Sequence, residues 1–210
     1  MFYEIYLLGL LGTFAFSIFG AYQGIKKGFD LFGIFISSFL TGIGGGTIVS
    51  IILNESLSYF YDYNYIYTIF AGTIFAIIFY NFIPKLSKYI LVIDAIGLSA
   101  FALLGADKAI ATNLGLIATI FFATTMAVGG GLIRDIAIGE VPQIFFRDFY
   151  ASPAIILGFI YYFAGNYRQS PLIIYSILIL AFVIRLLAIY FKVNIWRPWI
   201  NSKATEHRLR

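Results

Sequence analysis

Polar and apolar positions along this chain follow neither the two-residue alternation of a half-buried strand nor the 3.6-residue stripe of a soluble amphipathic helix. Runs of about 20 apolar residues, the length that crosses ~30 Å of hydrocarbon, are separated by short polar breaks. Stretches such as 67–79 and 172–184 carry no polar face. Strands of a membrane barrel would alternate over about ten residues, so the pattern predicts helices. Reading from break to break gives spans near 3–22, 29–53, 65–82, 89–105, 112–138, 149–165 and Pro171–Phe191. The second and fifth are long and contain glycine clusters, which predicts tilt or a break in each. The expectation is an all-α membrane protein with seven transmembrane helices.

Composition agrees. Hydrophobic residues make up 61% of 210, charged residues only 11%, and mean hydropathy is +0.91; soluble domains carry about 25% charged residues. There is no cysteine, which removes disulfides and Cys-based metal sites. The single histidine, His207, lies in the polar tail, so no His-ligated metal and no His-based catalysis is expected. Met1-Phe2-Tyr3-Glu4 lacks the basic start of a cleavable signal, and the first apolar run is read as a retained span.

Charge sets orientation. Lys26, Lys27, Lys85, Lys88, Arg147, Lys192, Arg197, Lys203, Arg208 and Arg210 fall on one side, whereas the other side holds Lys108 and Arg168 with Glu4, Glu55, Asp62 and Asp107. The positive-inside rule places the first set in the cytoplasm, giving a multi-pass cell-membrane protein with its N-terminus outside and C-terminus inside. Trp196 and Trp199 follow the last span, where amphipathic rings favour the headgroup layer. The net charge of +4 is accounted for by these inner segments, and no nucleic-acid partner is expected. Attraction of the basic tail, 192–210, to anionic lipid is worth about 1 kcal/mol per basic residue near the surface.

The chain also repeats itself. A shift of 85 superposes Gly12, Ala15, Phe16, Gly20 and Ala21 on Gly97, Ala100, Phe101, Gly105 and Ala106, and Gly44-Gly45-Gly46 on Gly129-Gly130-Gly131. Three helices per copy is an odd number, so the second copy enters the membrane from the opposite side. The result is one membrane domain: an inverted three-helix repeat (about 3–82 and 88–165), a seventh helix (171–191) and a tail (192–210). Such architectures occur in transporters and some channels, with the pathway at the repeat interface.

Each triplet has two readings. Small residues let helices pack closely. Three in succession at matching points of both copies also suit broken or kinked helices at mid-membrane, whose free backbone groups face a pathway; the paired placement favours this second reading. Beyond the second triplet stand Arg134 and Asp135, and the fourth span holds Asp94. Charge at that depth needs a partner or water, and Arg134 is expected to pair with Asp94 or Asp135, as a pathway element or as a static ion pair. The first copy has Gly9, Val49 and Ser50 at these points. Its half of a pathway is expected to present the hydroxyls of Thr47 and Ser50, with charge confined to the inner half. Arg185 in the last span is read as snorkelling to the inner interface.

The segment from Asp94 to Ala109, followed by Gly129-Gly130-Gly131-Leu132-Ile133-Arg134-Asp135, resembles the prokaryotic branch of the trimeric intracellular cation (TRIC) channels. The resemblance spans roughly residues 5–165. It implies a homotrimer with a potassium- and sodium-permeable pore in each protomer, lined by the first, second, fourth and fifth helices and kinked at the triplets. It implies no cofactor beyond the permeant ions. Prokaryotic members typically carry an acidic residue at the Gly9 position and an Arg-Asp pair after the first triplet, which this chain lacks. The candidate pathway residues are therefore Gly44, Gly45, Gly46, Thr47, Ser50, Asp94, Gly129, Gly130, Gly131, Arg134 and Asp135. A potassium-preferring channel is the leading expectation and a secondary transporter the alternative. An enzyme is not expected, since no nucleophile–base pair or metal-ligand set lies at mid-depth.

Overall fold

The computed structural model describes residues 2–80, 87–145 and 149–193. The segments around Lys85 and Arg147, and the tail beyond Val193 with its tryptophans, lie outside them. Seven α-helices follow in order: α1 (Phe2–Lys26), α2 (Leu31–Ile52), α3 (Asn64–Ile78), α4 (Ser87–Ala111), α5 (Gly115–Ala137), α6 (Ser152–Phe163) and α7 (Pro171–Phe191). Five are long and apolar enough to cross a membrane, whereas α3 and α6, at 15 and 12 residues, are shorter than the spans expected there.

The surface is inverted relative to a soluble protein. Ile117, Phe32, Leu172 and Tyr190 are exposed, while Thr13, Ser17, Ser38, Asp94 and Arg134 are buried. Apolar side chains face outward and polar groups pair inward, as in a lipid-embedded bundle. This is a multi-pass membrane protein.

Helix ends repeat with the same offset as the glycines. The left-handed residues that close α1 and α4 are Gly28 and Asn113, and those that close α2 and α5 are Asn54 and Gly139, each pair 85 apart. Gly and Asn are the residues that adopt this conformation at little cost, which ends the helix there. Just beyond, the Glu55 amide donates to the Ser50 carbonyl and the Glu140 amide to the Asp135 carbonyl, both at 2.8 Å.

Contacts between the copies are reciprocal. A methyl group on Gly45 would lie 2.1 Å from the Met126 carbonyl oxygen, and one on Gly130 would lie 2.2 Å from that of Thr41. Met126 is the counterpart of Thr41, as Gly130 is of Gly45. Likewise a methyl on Gly44 would lie 3.1 Å from the Gly130 Cα, and one on Gly129 would lie 3.1 Å from the Gly45 Cα. On the other helix pair, Gly12 meets the Phe101 ring and Gly97 the Phe16 ring, and the two rings stack with centroids 5.2 Å apart. When each residue and its counterpart exchange partners, the two bodies are related by a two-fold axis. α1 crosses α4 and α2 crosses α5 on that axis, with α7 packed against α4 and α6.

The triplets do not break their helices. α2 and α5 run α-helical through Gly44–Gly46 and Gly129–Gly131. The expected break gives way to the packing reading, because each triplet's partner is the other triplet. Without side chains the two backbones approach to a separation that any Cβ at Gly45 or Gly130 would prevent.

A candidate ion pathway closed by an arginine

Two cavities open at opposite ends of the α1–α2–α4–α5 cluster. At the end carrying Lys26 and Lys27 is a vestibule of about 560 Å³, walled by Phe19, Tyr22, Gln23, Asp135 and Gln143 among others. At the Lys108 end is a crevice of about 70 Å³ whose walls include Thr13, Gly46, Ser50, Tyr65, Phe101 and Lys108. Along α1 the interval from Thr13 to Phe19 is about 9 Å, and along α5 from Met126 to Asp135 about 14 Å, at 1.5 Å per residue. Phe16, Phe19, Thr41 and Arg134 fill that interval, each at most 2% exposed.

Arg134 is the centre of the seal. Neighbours on a helix point about 100° apart, so Arg134 and Asp135 are not paired by spacing alone. The long side chain nevertheless bends back, and its Nε and Nη2 donate to Asp135 Oδ1 at 2.9 and 2.6 Å. Its Nη1 reaches the Thr41 hydroxyl at 3.5 Å, and its guanidinium lies over the Phe19 ring, 4.9 Å from the centroid. Asp135 Oδ2 accepts the Gln143 amide at 2.9 Å. The carboxylate therefore holds the arginine on one side and forms part of the vestibule wall on the other.

Asp94 does not pair with Arg134. It is fully buried, accepts from the Tyr150 hydroxyl at 3.0 Å and lies 4.0 Å from Arg185 Nη2. The Arg185 guanidinium covers the Tyr150 ring at 4.6 Å. The expected snorkelling of Arg185 is thus overturned: at 2% exposure it turns inward and ties α7 to α4. Its position about 9 Å before the end of α7 was the available signal, since charge that deep usually faces the bundle interior.

The remaining candidates separate. Ser50 lines the crevice and its hydroxyl lies 3.5 Å from Lys108 Nζ. Thr47 is absent from the walls of both cavities; it donates to the Ile43 carbonyl at 3.0 Å and lies 3.2 Å from the Tyr59 hydroxyl. Of the glycines, Gly46 lines the crevice, Gly131 lies beside Arg134 and Tyr150, and the others form the α2–α5 crossing. Charge is also present at the crevice end, contrary to expectation, because Lys108 pairs there with Glu55. At the vestibule end Lys27 pairs with Glu140, the counterpart of Glu55, and that ion pair holds the Glu140 carboxyl below its usual pKa. Lys108, Tyr150, Thr41 and Phe19 were not among the expected site residues.

An inverted repeat with a cavity at each end of one four-helix axis is an architecture of membrane transporters and channels. A family model described as glycine transporter matches this chain twice, over residues 6–81 and 91–166, two windows offset by 85. A UPF0126 membrane protein of Deinococcus radiodurans is 34% identical over 153 residues, covering 71% of each chain. A structure solved to explain conductance through TRIC cation channels superposes with a TM-score of 0.84 at 34% identity, covering 93% of this chain and 98% of the other. The TRIC trimeric intracellular cation channel orthologue from Rhodobacter sphaeroides gives 0.82 at 26% identity, over 90% and 99%. The chain belongs to this family of TRIC-like membrane proteins. The relatives matched are membrane proteins and channels rather than enzymes.

Proposed function

We propose that this chain is a cation channel, potassium-preferring and permeable to sodium, with one pathway in each protomer of a homotrimer. The observation that carries the reading is the pair of cavities on a single helix axis, separated by about 9–14 Å that Phe16, Phe19, Thr41 and Arg134 fill. Asp135 in the vestibule wall, beside Glu140, Lys26 and Lys27, is the carboxylate that would favour a cation once its ion pair with Arg134 opens. A carboxylate in such a confined space acts at an effective dielectric of ~20 rather than 80, so its attraction is several-fold larger than in bulk. The similar structures solved for TRIC cation channels support the same reading.

In this proposal the Lys27 end faces the cytoplasm, from the distribution of basic residues, and the inner face attracts anionic lipid. Purified protein in planar bilayers should give ohmic unitary steps in symmetric KCl. In asymmetric KCl the reversal potential should lie toward the potassium equilibrium value, and Asp135→Asn should move it toward zero. Absence of steps, with saturable flux, would contradict the channel.

A secondary transporter is the second reading, favoured by the glycine-transporter description of the family model and by a closed interval between opposed cavities. Uptake of labelled glycine into proteoliposomes separates the two. Flux that saturates with glycine and persists without unitary currents would select the carrier.

A further inference from the structure

The third glycine of each triplet differs from the other two. A methyl on Gly131 would meet only Arg134 Nη2 at 3.8 Å and the Tyr150 hydroxyl at 3.9 Å, both ordinary contacts. Those two polar groups therefore lie at most 7.7 Å apart, the sum of the two distances, with Gly131 beside the interval. Tyr150 in turn donates to Asp94. The guanidinium now on Asp135 is thus one side-chain swing from a second carboxylate site, and arginine has enough rotatable bonds to cover that interval by changing rotamers.

We propose that Gly131 is the passage through which the Arg134 guanidinium exchanges Asp135 for the Asp94–Tyr150 pair, and that a cation arriving at Asp135 drives the exchange. This rests on the channel reading above. In the closed arrangement the buried charges balance: Arg134 with Asp135, and Arg185 beside Asp94. After the exchange two guanidinium groups share Asp94, and Asp135 keeps only the Gln143 amide. Both changes are costly where water is scarce. A potassium ion entering the vestibule removes one of them by neutralising Asp135. It can also occupy Asp135 only when the arginine has left, and such differential binding is what shifts a two-state equilibrium. The exchange takes the guanidinium off Thr41 and Phe19, which removes the charged plug and frees the Phe19 ring to turn out of the interval.

The test is single-channel recording of the full-length protein. In wild type, raising KCl roughly tenfold on the vestibule side should increase open probability by about threefold or more, beyond the rise in unitary current. Gly131→Ala should lower open probability several-fold at every KCl concentration with unitary conductance kept, because its methyl narrows the passage. Ile117→Ala, a truncation on the exposed face of the same helix, should leave open probability alone. Equal melting temperatures for both variants in detergent exclude misfolding as the cause. If wild type conducts but open probability ignores KCl, or Gly131→Ala opens like wild type, the exchange mechanism is wrong and the channel reading stands. If wild type carries no unitary current, the channel reading itself fails. The wild-type KCl series decides the matter even where a variant cannot be purified.

Discussion

The two repeats share a backbone plan but solve the same packing problem with opposite chemistry. In the first, hydroxyls join the helices: Ser37 donates to the Gly20 carbonyl, Ser38 to the Ser17 carbonyl and Thr73 to Ser38. Their counterparts 85 residues on are Phe122, Ala123 and Gly158, and Ser17 corresponds to Ala102, so the second repeat packs there by apolar contact alone. Charge follows the reverse pattern. Asp94, Arg134 and Asp135 replace Gly9, Val49 and Ser50. A duplicated fold has thus kept its glycine crossings and the Phe16–Phe101 stack on the axis, and diverged at the hydroxyl and charged positions. Symmetry of packing does not imply symmetry of the cavities: the large vestibule has Asp135 and Glu140 with Lys26 and Lys27 in its wall, and the small crevice has Ser50 beside Lys108.

The comparison breaks most severely at the buried charges. Arg185→Met leaves Asp94 with Tyr150 but without its arginine in a dry interior, and removing one partner of a buried pair costs about 3–5 kcal/mol. Denaturant unfolding in detergent should show that loss. The double variant Asp94→Asn with Arg185→Met should recover most of it, since neither charge is then stranded. No recovery would mean that Arg185 acts through packing.

Next in size is the glycine crossing. Gly45→Ala and Gly130→Ala each push a methyl into a backbone carbonyl and should cost about 1–3 kcal/mol, by similar amounts because the contacts are reciprocal. Gly46→Ala and Gly131→Ala, whose methyls would make only ordinary contacts, with Met126 at 3.5 Å and Arg134 at 3.8 Å, should be neutral or slightly stabilising. Melting temperatures for the four variants check this, and equal losses at all four would remove the distinction.

Smaller still is the hydroxyl network. Ser38→Ala should cost about 0.6 kcal/mol, the average of interhelical hydrogen bonds in membranes, while Ala123→Ser at the counterpart should gain nothing, because Ala123 is fully buried and packed tightly against Gly158. Thermal unfolding of both resolves the pair. The smallest effect belongs to the Lys27–Glu140 latch. Its carboxyl titrates below the usual glutamate value because of the lysine. A carboxyl whose folded pKa is lowered contributes stability above its unfolded pKa and loses it as pH falls through the folded one. The latch should therefore weaken only in acid, below the ordinary glutamate pKa of 4.5. A pH series on wild type and Glu140→Gln should diverge above that point and converge below it.

Much of this architecture is readable from residue order, and the reason is periodicity. Seven apolar runs map onto seven helices, and Pro171–Phe191 coincides with α7. Recurrence of glycines at an offset of 85 exposes the two-fold axis because close crossings tolerate no other residue. Partner choice is less legible. Nothing in the spacing says that Asp94 meets Arg185, 91 positions away, rather than Arg134, because α7 lies outside the repeat and its rotation is set by packing. The triplets misled for a related reason: three glycines read alone suggest an interrupted helix, whereas two triplets crossing each other form a continuous pair. Thr47 stands just behind the crevice wall, its hydroxyl 3.2 Å from that of Tyr59, which lines it, a helix rotation that residue spacing does not fix.

In the proposed channel one pathway joins the vestibule to the crevice through the Arg134 seal. A chain without native cysteine allows a direct measurement. Gln23→Cys in the vestibule and Ser50→Cys in the crevice are recorded in bilayers while a charged, membrane-impermeant thiol reagent is added to one side at a time. The account predicts that each variant loses current when the reagent is applied from its own side, with Ser50→Cys sensitive from the face opposite to Gln23→Cys. Current unchanged by modification at both positions, or both positions reacting from the same face, would contradict it.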